Sequence, residues 1–78
     1  MINLEQEREH LALADRHIAE AEARILRQQA LIKRLSESKR DLVEAEKLLA
    51  LLEQTLIQMR EHRHIILDTI ARLDPSTP

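Results

Sequence analysis

Leu35-Ser36-Glu37-Ser38-Lys39-Arg40-Asp41-Leu42 is the stretch that decides the fold, because it separates two long runs of regularly spaced apolar residues. Residues 36–40 carry no large apolar side chain, and serine hydroxyls compete with a helix for backbone hydrogen bonds. We therefore expect a turn at residues 36–41. Asp41 stands three residues before Glu44, which is typical of a capping box at the start of a helix.

Two helices are predicted on either side of this turn, at residues 4–35 and 42–73. Asn3, with Gln6 three residues on, resembles a capping box for the first helix. Pro75 disfavours helical geometry in the residue before it, so the second helix is expected to end there, with a frayed tail at residues 75–78. The 78 residues are expected to form one domain.

Apolar residues recur in both segments with the heptad period of a coiled coil, and seventeen of the twenty a and d positions are apolar. These positions are Leu4, Glu7, Leu11, Ala14, Ile18, Ala21, Ile25, Gln28, Ile32 and Leu35, then Leu42, Ala45, Leu49, Leu52, Leu56, Met59, Arg63, Ile66, Ile70 and Leu73. The pattern predicts an all-α fold, a long antiparallel two-helix hairpin. Facing residues include Ile25 with Leu52 and Ile18 with Met59.

Composition excludes several kinds of site. The chain is 44% hydrophobic and has no Gly, Cys, Phe, Tyr or Trp. Without Cys it forms no disulfide or cysteine zinc site, and without Gly it has no means of building a phosphate-binding loop. A net charge of -2 argues against general affinity for nucleic acid or anionic membranes. No apolar run approaches the ~20 residues of a membrane span, and we expect a cytoplasmic protein.

Large apolar residues also lie outside the a and d seam, where a two-helix hairpin cannot bury them. The candidate interface residues are Leu13, Leu26, Leu31, Leu48, Leu51, Ile57, Ile65 and Leu67. Because contiguous apolar patches are uncommon on monomers, we expect a homodimer that forms a four-helix bundle. The leading interpretation is a non-enzymatic structural or interaction module that self-associates and binds a partner protein through a helix face.

A basic run near the turn supports an alternative function, a nucleic-acid-associated accessory factor. Its candidate phosphate contacts are Arg34, Lys39 and Arg40. The run lacks aromatic neighbours for base stacking, and the acidic residues of 41–53 fold back against it. We therefore regard nucleic acid as the less favoured partner.

Histidines are the usual metal ligands and general bases, so their spacing bears on whether the chain forms a metal or catalytic site. His17 and His62 are expected at g positions on the same level of the hairpin, where a two-histidine metal half-site is conceivable. The Glu-x-x-His motif of di-iron bundles occurs once, as Glu7 to His10, whereas such bundles use two. We expect partly exposed histidines, no metal, no cofactor and no catalytic residue.

Gln28 and Arg63 are polar interruptions of the seam. One interpretation is that they fix the register of the helices, as polar core residues do in coiled coils. The other is that Arg63 lies over Ala14 and extends its guanidinium to Asp15 or solvent, while Gln28 sits at a boundary. Asp15 and Arg60 are expected to form an ordinary surface pair across the e positions.

Part of the sequence resembles a group of short uncharacterised bacterial helical proteins, over residues 11–67. The likeness rests on Leu11-Ala12-Leu13-Ala14-Asp15-Arg16-His17-Ile18-Ala19-Glu20-Ala21-Glu22, Gln28, Leu31-Ile32, Ala45-Glu46-x-Leu48-Leu49 and Leu56-x-x-Met59-x-x-His62-Arg63. Members commonly carry a glycine in the turn, where this chain has Ser38 or a neighbour. The resemblance implies a bacterial cytoplasmic helical hairpin without an assigned activity.

Overall fold

Two long helices make up the structure, a computed structural model that describes residues 3–35 and 39–76, without the side chains of residues 39 and 40. Helix α1 spans Leu4–Arg34 and helix α2 spans Lys39–Leu73, and the two pack antiparallel along their length. The predicted all-α hairpin is thereby confirmed. Residues 36–38, the middle of the predicted turn, lie outside the described part of the chain.

The start of α1 follows the predicted cap, and the start of α2 does not. The Asn3 side chain accepts a hydrogen bond from the Gln6 amide at 2.8 Å, which satisfies one donor of the first turn. Helix α2 begins at Lys39, before the predicted start at Leu42, so Asp41 lies inside its first turn. Lysine and arginine are good helix formers, and an acidic side chain in the first turn is favoured by the helix dipole.

The a and d seam is the core of the molecule. Of its twenty predicted positions, only Leu73, at the end of α2, is exposed, and the others are buried or half-buried. Ala21, Ile25 and Leu56 form the buried centre, and the partly buried residues around it are Ile18, Leu49, Leu52 and Met59. The predicted levels of Ile25 with Leu52 and Ile18 with Met59 therefore fall in one cluster.

The core is a single layer between two helices. Ala14, Ala21 and Ala45 are buried at d positions, where small side chains let the helices approach closely. No large side chain among the described residues is fully buried. The backbone extends over 57 × 23 × 14 Å and its radius of gyration is 17.5 Å, against about 11.5 Å for a compact chain of this length. The hairpin is a flat rod with two open sides.

Candidate interaction surface

One open side of the hairpin carries the ion pairs between the helices, and we call it the ion-pair face. Arg8 pairs with Asp74 at 3.3 Å and Arg60 with Glu22 at 3.7 Å. The Arg63 side chain also leaves the seam on this side, and its Nε donates to the Asp15 carboxylate. The predicted extension of Arg63 to Asp15 is confirmed.

The predicted pair of Asp15 with Arg60 is wrong, because Arg60 contacts Glu22 instead. Side chains on a helix lean toward its N-terminus. Arg60 on α2 therefore leans toward the turn end of the hairpin, where Glu22 lies, and leaves Asp15 to Arg63.

Asp74 lies just after α2, at the end of the ion-pair face that is away from the turn. The Ser76 hydroxyl and amide both donate to its Oδ1, at 2.6 and 2.9 Å. These hydrogen bonds, with a smaller contribution from the Arg8 guanidinium, hold the pKa of the Asp74 carboxyl below its ordinary value of 3.8. Asp74 therefore keeps its charge at neutral and mildly acidic pH. The ion pair between Arg8 on α1 and Asp74 at the end of α2 is kept over the same range.

The opposite side of the seam is a groove whose lining residues carry no carboxylate, guanidinium or ammonium group, and we call it the histidine face. His10, Leu13, Ala14, His17 and His62 line one part of it. The groove continues along the hairpin, where it is also lined by Thr55, Gln58 and Met59 of α2. The predicted placement of His17 with His62 on one level is consistent with this groove, which both residues line.

His10 is a third histidine of this groove, which the sequence analysis did not place with His17 and His62. His10 and His17 are seven residues apart and share the g position of the heptad. The heptad period therefore already indicated that both lie on the same side of α1. The imidazole Nδ1 of His10 lies 3.4 Å from a carboxylate oxygen of Glu7, a seam residue whose side chain is 12% exposed. The histidine face therefore presents three imidazoles, one of which has a carboxylate beside it.

In the part of the chain that the structure describes, no three histidine, aspartate or glutamate side chains are grouped so that they could hold a metal ion. None of the described helices contains an apolar stretch long enough to cross a membrane.

Most of the predicted interface residues are exposed. The exposed ones are Leu13, Leu26, Leu31, Leu48, Leu51, Ile57 and Ile65, together with Val43. Leu67 differs, because it is half-buried beside the seam at an e position. The heptad places Leu13, Leu31, Leu48, Leu51 and Ile65 at c and g positions, on the side of the histidine face. Leu26, Val43 and Ile57 take b positions, on the side of the ion-pair face.

The candidate phosphate contacts are described only in part. Arg34 is exposed at the end of α1. The side chains of Lys39 and Arg40 lie outside the described residues, so a phosphate site at the turn end stays a prediction.

Gln28 is buried in the seam rather than placed at a boundary. It is 9% exposed, and its amide nitrogen donates to the Ala45 carbonyl of the facing helix at 2.9 Å. A hydrogen bond from a side chain of one helix to the backbone of the other is made at one stagger of the helices. This contact supports the interpretation that Gln28 fixes the register.

Replacing Gln28 with glutamate is expected to lower the free energy of unfolding by about 1–3 kcal/mol at neutral pH, because a buried donor becomes a charged acceptor facing the Ala45 carbonyl. Urea unfolding measures the change. Gln54→Glu, the same substitution at an exposed position of α2, is the control and is expected to change it by less than about 0.5 kcal/mol. Equal effects of the two substitutions would show that the hydrogen bond of Gln28 contributes nothing.

Comparisons with known proteins place the chain in no family: no family model matches it, and neither a curated protein nor a solved structure is significantly similar. The resemblance to short bacterial helical proteins is therefore not supported by a match. The description that stands is a two-helix hairpin protein with two chemically different open faces.

Proposed function

We propose that this protein is a non-enzymatic helical interaction module, whose hairpin associates with a second copy to form a four-helix bundle and offers a remaining helix face to a partner protein. The observation that carries the proposal is the surface that one hairpin leaves uncovered. A single layer of side chains between two helices is its whole core, and eight large apolar residues of the described chain remain exposed outside that seam.

The accessible area supports a second copy as the first occupant of this surface. The hairpin exposes 6307 Å², whereas a compact monomer of 9.1 kDa exposes about 4,900 Å². A compact dimer of twice the mass is expected to expose about 8,100 Å². Two copies that reached this value would bury about 4,500 Å² between them, within the range of obligate homodimers. Half that area would still exceed a standard interface of about 1,600 Å².

Stability supports the same proposal. A small chain has a limited core, and isolated helical hairpins of this size are marginal unless they associate. Here the core cluster contains one large residue from each helix that is buried, Ile25 and Leu56. Association would remove further leucine and isoleucine side chains from water, each of which contributes about 1.5–3 kcal/mol on full burial.

Sedimentation equilibrium of the purified chain tests the proposal. We expect a species of twice 9.1 kDa at micromolar concentration, and an unfolding temperature that rises with protein concentration because folding and association are linked. A helical, cooperatively unfolding monomer with a concentration-independent unfolding temperature would contradict it.

A further inference from the structure

We propose that the second copy covers the histidine face, with the two hairpins lying head to tail, and that the ion-pair face stays in contact with water. This inference rests on the proposed self-association and names the surface and the orientation that it uses. Both faces carry exposed leucine and isoleucine, so apolar area alone does not distinguish them. Charge and hydrogen bonding do.

Covering the ion-pair face would remove six charged groups from water. The pairs Arg8–Asp74, Arg60–Glu22 and Arg63–Asp15 lie along that side, and their side chains are exposed to different degrees. Taking ion pairs out of water costs more than their mutual attraction returns unless every remaining donor and acceptor finds a partner. Burying the exposed side chains of this face inside a four-helix bundle is therefore unfavourable.

The groove of the histidine face makes a smaller demand. Its lining residues carry no carboxylate, guanidinium or ammonium group. The charged side chains at c and g positions on this side lie outside the lining of the groove, and they are Glu20, Arg24, Arg27, Arg34, Asp41, Glu44 and Arg72. The hydroxyl of Thr55 donates to the Leu51 carbonyl of its own helix, so the methyl group of Thr55 is left for packing. Thr69, at the next but one g position, donates in the same way to the Ile65 carbonyl. These hydroxyls already have partners, and burying them costs little.

The distribution of charge favours the head-to-tail orientation. Residues 24–40 carry six basic and one acidic side chain, and residues 41–53, which fold beside them, carry four acidic and one basic, so the turn end is positive by two. Residues 1–23 carry six acidic and two basic side chains beside a balanced segment at 54–78, so the open end is negative by four. A head-to-tail pair sets opposite charges together, whereas a head-to-head pair stacks like charges.

A matched pair of substitutions separates the two faces. Leu51 on the side of the histidine face is 60% exposed, and Leu26 on the side of the ion-pair face is 67% exposed. Leu51→Glu is expected to raise the dissociation constant of the dimer by about 100-fold or more, because it buries a charge in an apolar interface. Leu26→Glu is expected to change that constant by less than about threefold. Sedimentation equilibrium of both variants, with helix content checked by circular dichroism, gives the comparison.

The outcomes distinguish this inference from the proposed function. A wild-type monomer would overturn self-association and the inference with it. A wild-type dimer that Leu26→Glu dissociates, while Leu51→Glu leaves it intact, would overturn the choice of face alone. Equal weakening by both substitutions, or by neither, would also overturn it, because the second copy would then not discriminate between the faces.

A second measurement applies if a glutamate variant fails to fold. The chain has no cysteine, so Leu51→Cys and Leu26→Cys each introduce a single thiol without a charge. In the dimer, a maleimide reagent is expected to modify Leu51→Cys at least about tenfold more slowly than Leu26→Cys, and dilution to the monomer should remove most of the difference. Equal rates in the dimer would overturn the inference.

Discussion

Replacing Leu56 with alanine is expected to lower the free energy of unfolding by about 2–5 kcal/mol, the cost of deleting a buried leucine side chain. Leu56 is one of the two large residues in the buried cluster, where it packs with Ala21 and Ile25 between the helices. Because the core is a single layer, no second layer of side chains is available to move into the cavity that the substitution leaves. A loss of this size would consume much of the stability of a chain this small.

The matched control for this substitution is Leu26→Ala, which removes the same atoms from an exposed position of α1. Its expected effect is less than about 0.5 kcal/mol. Urea unfolding followed by circular dichroism measures both variants, at one protein concentration because association adds to stability. Equal losses would show that the a and d seam is not the core of the folded protein.

The contrast between Leu56 and Leu26 shows how much the heptad determined in advance. The period alone separated the buried residues from the exposed ones, and Leu73, the last residue of α2, is the one seam residue that is exposed. Periodicity is reliable here because no glycine or proline interrupts either helix. The start of α2 was placed too late, since cap residues identify a helix end within a few residues at best.

The two faces were harder to predict, because they depend on which way long side chains lean. The sequence placed Arg60 and Asp15 at facing e positions, but the tilt of Arg60 toward the N-terminus of α2 moves its guanidinium to Glu22. For Gln28 two interpretations were open, a contact that fixes the register and a boundary position, and the helices approach closely enough at Ala45 to bury it. Its burial agrees with its d position. The partner of Arg60 does not follow from heptad position, which fixes the direction of a side chain from the helix axis but not its reach.

Replacing both His17 and His62 with lysine is expected to weaken the proposed dimer by at least about tenfold, because the bundle would then take a permanent charge on each of these side chains out of water. His17 and His62 line the groove of the histidine face. His17 lies near the middle of α1, so a head-to-tail pair related by a two-fold axis brings these histidines of both copies to the centre of the bundle. Lysine at both positions would place several like charges there, away from water.

The surroundings of these histidines offer little compensation. Within residues 3–35 and 39–76, His10 is the histidine with a carboxylate at ion-pair distance, that of Glu7. The groove around His17 and His62 is lined by Ala14 and by uncharged side chains of α2. The charged residues of α1 that follow His17 on this side of the heptad are Glu20, Arg24, Arg27 and Arg34, and three of these four are basic. The four charges that the lysines add to the dimer would therefore have few acidic partners there, whereas water solvates them in the separated hairpins.

Matched substitutions identify the positions responsible. His17→Gln combined with His62→Gln adds no charge and is expected to leave the dimer intact, as measured by sedimentation equilibrium. His64→Lys is the matched control for the added charge: His64 lies beside Ile57 on the outer surface of α2, so this variant should remain a dimer. A dimer that His17→Lys with His62→Lys leaves intact, or that His64→Lys dissociates, would show that the second copy does not cover the histidine face.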